Sequence, residues 1–378
     1  MADTNQKRRI ALNDTTLRDG TQAPGVVLKP ADKLAIARAL DAMGIDELEV
    51  GTPAMGLGEQ ADMARIAALG LGCRLSAWCR ARSEDLEAAA RCGVDGVNIS
   101  LPVSDIQLHA LGKDRSWVLE RLHTLIPQGL KRFGHIGVGA QDATRADAPW
   151  LLEFARAADQ VGARRLRLAD TVGIGRPGTV ATLIALCRRA APALPLEFHG
   201  HNDLGLATAN ALAAVEAGAE ALSVTVNGLG ERAGNAALEQ VAMLLDRHPT
   251  LGSRLDCRQL LAICRRVALA SGRAIAPDRP IVGDLCFTHE SGIHCHALLE
   301  DPRSYEPFPP HSIGRRHRLA MGSHSGGAGL RHLLQQAGID ASSPQIESLQ
   351  SLLRDGMPSP LPAKSPLSNG LHSPQRCS

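Results

Sequence analysis

The chain has 378 residues, 44% of them hydrophobic and 21% charged, with 37 glycines, a balance that suits a folded α/β protein and excludes a disordered or fibrous one. Its 41 basic residues against 39 acidic ones leave a net charge of +2, and aromatic residues make up only 2%. Neither a phosphate-seeking basic surface nor a series of base-stacking rings is on offer, so no nucleic-acid partner is expected.

From the N-terminus, short apolar runs alternate with longer amphipathic ones, the pattern of parallel βα units. Strands are predicted at Arg9–Thr15, Glu47–Gly51, Arg74–Cys79, Gly96–Ser100, His135–Gln141, Arg165–Asp170, Leu196–His201 and Ala221–Asn227. Helical periodicity fills the gaps, as at Lys33–Met43, Ser83–Cys92, Trp150–Val161 and Leu204–Ala217. Eight units predict a (β/α)8 TIM barrel, with polar chemistry gathered at the C-terminal ends of the strands. The expected organisation is a catalytic barrel over residues 1–250, a smaller, mainly helical lid or dimerisation region over 251–356, and a Pro- and Ser-rich disordered tail over 357–378. No stretch of 18 apolar residues and no signal-peptide pattern occurs, and the nine cysteines include no C-x-x-C pair. No membrane partner and a cytoplasmic location are therefore expected.

Three stretches carry chemistry. His199 and His201 lie two apart at the end of a strand, so both imidazoles face the same side and can grip one ion, although paired histidines also occur as ordinary loop residues. After the first strand comes Asp14-Thr15-Thr16-Leu17-Arg18-Asp19-Gly20-Thr21-Gln22. An aspartate beside two histidines makes an N2O site for a divalent cation with positions open to a chelating substrate, and an adjacent arginine can polarise a bound oxygen. The same stretch also reads as a capping turn with a surface Arg–Asp pair. The third, Asn227–Asn235, is a Gly-rich loop that either cradles an anion or forms a tight turn with Asn235 as a helix N-cap. Asp170 and Glu49 read either as catalytic groups or as buried ion-pair members, and the Arg164-Arg165 run as a solvated face in preference to a CoA-phosphate site.

Taken in order with Thr288-His289-Glu290-Ser291-Gly292-Ile293-His294, these motifs resemble the acyl-transferring metal barrels that include homocitrate, 2-isopropylmalate and citramalate synthases, with a pyruvate carboxyltransferase-like catalytic domain. Leu101–Asp105, Ala169–Gly173, Gly205–Asn210 and Thr225–Glu239 look most like the nitrogen-fixation type of homocitrate synthase. The resemblance implies condensation of acetyl-CoA with 2-oxoglutarate to homocitrate and CoA, for nitrogenase iron–molybdenum cofactor synthesis. It implies one divalent metal ion (Mg, Mn, Zn, Co or Fe) on Asp19, His199, His201 and Asn235. Arg18 would meet the 2-oxo group, Thr171 and Gln22 the neighbouring carboxylate, and Arg145 the distal carboxylate. His294, with Tyr305 near it, would come from the partner subunit of a homodimer to deprotonate the acetyl group. Gln141 stands where the family usually has a glutamate that helps this base, and an amide cannot accept a proton. The alternatives are 2-isopropylmalate or citramalate synthesis, or a non-catalytic paralogue that binds a 2-oxo acid.

Overall fold

The computed structural model describes residues 7–355; the tail expected at 357–378 lies outside them. A two-residue strand, β1 (Arg8–Arg9), is followed by β2 (Ala11–Asp14), β3 (Glu47–Glu49), β4 (Arg74–Arg80), β5 (Gly96–Pro102), β6 (His135–Gln141), β7 (Arg165–Asp170), β8 (Leu196–Gly200) and β9 (Ala221–Val224). Strands β2 to β9 are parallel and close into a barrel, β9 pairing back onto β2. Between them run α1 (Pro30–Ala42), α2 (Leu57–Ala67), α3 (Ser83–Arg91), α4 (Asp105–Ala110), α5 (Arg115–Leu130), α6 (Ala148–Gln160), α7 (Pro177–Ala190) and α8 (Ala207–Glu216). Beyond β9 come α9 (Leu238–Arg247), a short strand β10 (Leu251–Gly252) paired with β1, and α10 (Leu260–Ser271). The predicted eight-unit barrel is thus the observed fold.

Helix starts follow local chemistry. Asp147 caps α6 by accepting from the Trp150 backbone N–H, with proline in the first turn. The buried ring of Trp150 donates from Nε1 to the Val103 carbonyl at 3.0 Å, tying α6 to the chain just past β5. Outward-facing strand residues such as Leu166, Leu168, Leu196 and Phe198 are fully buried beneath the helices.

The inward positions of the lower barrel are charged. On β7, Arg165 and Arg167 alternate with the leucines, and on β3 and β8 Glu47, Glu49 and Glu197 do the same. Arg165 Nη2 lies 2.8 Å from Glu47 and its Nε 2.7 Å from Glu197. Arg167 Nη2 lies 2.8 Å from Glu49 and its Nε 3.0 Å from Glu197. Burial alone would raise the Glu47 and Glu49 carboxyls, but the arginines outweigh it and hold both below the usual carboxylate range. The solvated face expected for Arg164-Arg165 is therefore corrected: Arg164 is exposed, but strand alternation turns Arg165 into the barrel.

Among the described residues the chain packs as two compact units. One runs to Ile275 and includes Pro280–Val282; the other consists of Ala276–Arg279 and the residues from Gly283 onward. In the second, β11 (Thr288–His289) pairs with β12 (Arg318–Leu319), and α11 (Gly292–Glu300) is followed by α12 (Gly327–Gln336) and α13 (Ser343–Arg354). Leu330, Ile346 and Leu353 make its small core. Gly292 and Gly326 meet backbone to backbone, since a Cβ on Gly292 would stand 2.6 Å from the Gly326 Cα.

Candidate active site

The loop after β2 folds back at once. The backbone N–H groups of Arg18, Asp19 and Gly20 all donate to the Thr15 carbonyl, which turns Asp19 over the barrel mouth. Thr16 fastens this turn: its hydroxyl donates to Asp14 and accepts from the Val226 N–H in the loop after β9. Asp19, His199 and His201 come together there, all buried, with candidate ligand atoms within 4.8 Å of one another. His199 Nε2 stands 3.1 Å and His201 Nε2 3.9 Å from Asp19 Oδ2, and the two Nε2 atoms are 3.2 Å apart.

These residues fit a metal ion on their own geometry. The Nε2 atoms of both histidines converge on Asp19, while Asp19 Oδ1 and Asn235 Oδ1 are buried with no hydrogen-bond partner, and such orphaned oxygens are costly unless a ligand completes them. Protonation agrees. Burial lowers the His201 imidazole to about 4, so it is neutral near pH 7. Burial pushes the Asp19 carboxyl up, but Arg18 and the histidines outweigh it and keep it ionised. Asn235 joins through its backbone, which forms an isolated antiparallel bridge with His201. Helix α9 begins only at Leu238 with Ala237 as its cap, so the N-cap reading of Asn235 is corrected; the loop's work is to return the chain to His201.

Arg18 is held on two sides. Its Nε donates to Glu49 at 2.5 Å, its Nη1 lies 3.1 Å from Asp19, and its guanidinium sits over the Trp78 ring. Glu49 is thereby placed among the buried ion pairs. Asp170 accepts from the Thr144 hydroxyl and from the Ile174 and Gly175 N–H groups, so it organises the loop after β7.

A cavity of about 190 Å³ opens beside this cluster. Of the residues expected from sequence, Arg18, Asp19, Gln22, Gln141, Thr171, His199 and His201 line it. Arg145 is not among the lining residues. The chain bends at Asp142, whose φ of 60° is left-handed, and Arg145 wraps the Asp142 carboxylate with contacts of 2.6 to 2.9 Å. Asp142 also accepts from Ser104 and donates its N–H to Thr171 Oγ1 at 2.9 Å. From the other side Arg232 donates to the Thr171 carbonyl while paired with Asp203. In the second unit, His294 and Tyr305 stack with ring centroids 3.9 Å apart.

Sequence reading missed the lining residues Trp78, Asn98, Gly139, Arg167, Glu231 and Arg232. Strand alternation carries the signal for the first four: they stand at inward positions of β4, β5, β6 and β7. The last two sit in a loop whose conformation no periodicity reports.

A family model described as HMGL-like matches residues 9–267, and one described as homocitrate synthase post-HMGL domain-like matches residues 281–356. The chain is 44% identical over 347 residues to homocitrate synthase 1 of Nostoc sp. (strain PCC 7120), covering 92% of each chain. It is 46% identical over 330 residues to 2-isopropylmalate synthase 2 of Caldanaerobacter subterraneus subsp. tengcongensis, covering 87% of this chain and 86% of that one. Among solved structures, the HMG-CoA lyase of Bacillus subtilis superposes with a TM-score of 0.65 at 20% identity, covering 73% of this chain and 98% of that one, a likeness of fold.

Proposed function

The chain belongs to the HMGL-like family, with the 2-isopropylmalate and homocitrate synthases, enzymes that transfer an acyl group by condensation, and from that premise we propose that it condenses acetyl-CoA with 2-oxoglutarate to give homocitrate and CoA. The observation that carries the reading is the junction of the Asp19–His199–His201 cluster with a cavity lined mainly by polar and charged side chains. A branched apolar substrate would bury its methyl groups against unmatched polar atoms there.

In this reading Asp19, His199 and His201, with Asn235, hold one divalent ion. When bound it supplies Lewis-acid polarisation of a ketone. Arg18, pre-set by Glu49 and Asp19, donates toward the 2-oxo oxygen as negative charge develops on it. Thr171 and Gln22 orient the neighbouring carboxylate. His294, delivered by a partner copy and braced by Tyr305, takes a proton from the acetyl methyl group; the carbanion attacks the 2-oxo carbon and water then cleaves the thioester. Gln141 would position rather than accept a proton, because its amide has no basic site. The region that the sequence places at 251–356 would serve as lid and dimerisation module. Its cytoplasmic use for nitrogenase cofactor assembly rests on the nitrogen-fixation-type stretches and on the free state of the eight described cysteines.

The 46% identity to a 2-isopropylmalate synthase favours 2-oxoisovalerate as the second reading. A panel of 2-oxo acids with acetyl-CoA, read by a thiol reagent that detects released CoA, decides between them. 2-Oxoglutarate should give the highest kcat/KM. A higher value with 2-oxoisovalerate or pyruvate would replace the homocitrate reading.

A further inference from the structure

The loop after β9 turns back on itself through four left-handed residues: Asn227 (φ 58°), Gly228 (φ 60°), Arg232 (φ 55°) and Gly234 (φ 86°). Glycine takes that conformation freely, and asparagine takes it more readily than other residues with a side chain. Arg232 breaks the pattern. An arginine kept where a glycine would be relaxed points to a use for its side chain.

The tip of this loop, Glu231 to Ala233, is exposed, and the Arg232 side chain ties it to two other loops. Its Nε and Nη2 donate to the two carboxylate oxygens of Asp203, after β8, at 2.7 and 3.0 Å. Nη2 also donates to the Thr171 carbonyl, after β7, at 2.8 Å. Gly173 makes room for the pair, because a Cβ there would collide with the Asp203 carboxylate. Thr171 is thus held at both ends, since its Oγ1 accepts from the Asp142 N–H at 2.9 Å. A hydroxyl that accepts there keeps its own hydrogen to donate, and Thr171 and Arg232 both line the cavity.

We propose that Arg232, paired with Asp203, is a positioning residue for the 2-oxo acid: it clamps the loop after β9 onto Thr171 and holds the Thr171 hydroxyl toward the carboxylate next to the ketone. The proposal rests on the reading that gives Thr171 this carboxylate. It does not depend on which 2-oxo acid is preferred, because every such acid carries the group. A planar guanidinium suits the task, since it reaches a carboxylate and a carbonyl together, and Asp203 balances its charge.

The test compares wild type with Arg232→Gly, Arg232→Lys and Asp203→Asn in the metal-loaded enzyme. Kinetics are read on 2-oxoglutarate, 2-oxoisovalerate, pyruvate and acetyl-CoA, alongside calorimetric binding of the preferred 2-oxo acid and of the divalent ion, and thermal unfolding. Arg232→Gly removes the side chain and relaxes the backbone, so it separates the two roles. It should raise KM for every 2-oxo acid turned over, and Kd with it, by about 10-fold. KM for acetyl-CoA and ion affinity should stay within about twofold of wild type, and the unfolding midpoint should not fall. Arg232→Lys should lie between the two, and Asp203→Asn should raise the same KM values by about 3-fold. A role in shaping the turn alone predicts an Arg232→Gly enzyme as good as wild type, which would overturn the proposal. So would a rise confined to one acid, or losses of ion and acetyl-CoA affinity as large as those for the acids. Wild type preferring pyruvate or 2-oxoisovalerate would replace the homocitrate reading while the variants still decide the clamp. Wild type that binds no 2-oxo acid would overturn both.

Discussion

The interior of the barrel holds two polar layers that follow opposite rules. In the lower one, Arg165, Arg167, Glu47, Glu49 and Glu197 sit within 3.0 Å of opposite charges, several as off-line ion pairs rather than straight hydrogen bonds. In the upper one, Asp19 Oδ1, Asn235 Oδ1 and both ends of the Asn98 amide are equally buried and have no hydrogen-bond partner. Burial is shared, so burial alone does not separate structure from function. Completion does: the lower layer is satisfied by the protein, and the upper one is satisfied only by something that binds.

The largest expected effect comes from the upper layer. His201→Ala should abolish tight divalent-ion binding in a calorimetric titration and cut turnover at least about 1,000-fold, some 4 kcal/mol of transition-state stabilisation. A chelator should do the same to wild type. The unfolding free energy of the ion-free protein should change by far less than that, because the imidazole's Nδ1 has no hydrogen bond to lose. A variant that loses several kcal/mol without the ion would place His201 in the structural layer.

In the lower layer the order of effects inverts. Arg167→Met takes one arginine from each of the buried carboxylates Glu49 and Glu197, leaving only Arg18 and Arg165 to balance them, and should cost about 3–5 kcal/mol in denaturant unfolding whether or not metal is present. A loss below about 1 kcal/mol would mean that water reaches the floor and the pairing is not what holds it.

Asp14 sharpens the contrast, being a buried carboxyl with no ion pair among the described residues. Burial raises it to about 7, against the lowering effect of the Thr16 hydrogen bonds and with Glu239 adding to the rise. The folded state therefore keeps a proton that the unfolded chain gives up near pH 4, so the native state binds more protons across this window. Stability should be full below about pH 4, fall as pH rises from about 4 to 7, and level off above; the contribution is at most about 4 kcal/mol. Asp14→Asn should flatten that slope in unfolding free energy measured against pH. An unchanged slope would assign it to another group.

How much of this was legible in the sequence depends on the range of the interaction that decides it. The eight strands follow from local periodicity, and His199, His201 and Asp19 from motif spacing. The charged floor was also written there, in Glu47-Leu48-Glu49 and Arg165-Leu166-Arg167-Leu168, where alternation puts every charge on one face. Reading Arg164-Arg165 as a surface run failed because it counted charge without applying that period. Asn98 was harder, since an asparagine in a strand becomes informative only once its amide is known to lack a partner. Asp142 depended on a single backbone angle, and that angle decided where Arg145 went.

Arg145 is where the two layers' rules meet, and its effect should be the smallest. The family resemblance gives it the distal carboxylate, but its guanidinium is already bonded to Asp142, which is completely buried and fixes Thr171 through a backbone N–H. By the completion rule it belongs with the satisfied residues, so it acts as a positioning residue through Thr171. Arg145→Ala should then raise KM for 2-oxoglutarate, 2-oxoisovalerate and pyruvate by a similar factor, roughly tenfold, because the proposed function gives Thr171 the carboxylate that all three share. Stability should fall by about 1–2 kcal/mol, less than for Arg167, since the Arg145 side chain is 29% exposed and Ser104 still donates to Asp142. Arg145→Lys keeps a charge but loses the two-armed contact, and should recover part of both losses. The decisive reading is the ratio of kcat/KM between 2-oxoglutarate and 2-oxoisovalerate. If it collapses in Arg145→Ala while pyruvate turnover is untouched, Arg145 reaches substrate after all, and a paired guanidinium can swing from one carboxylate to another.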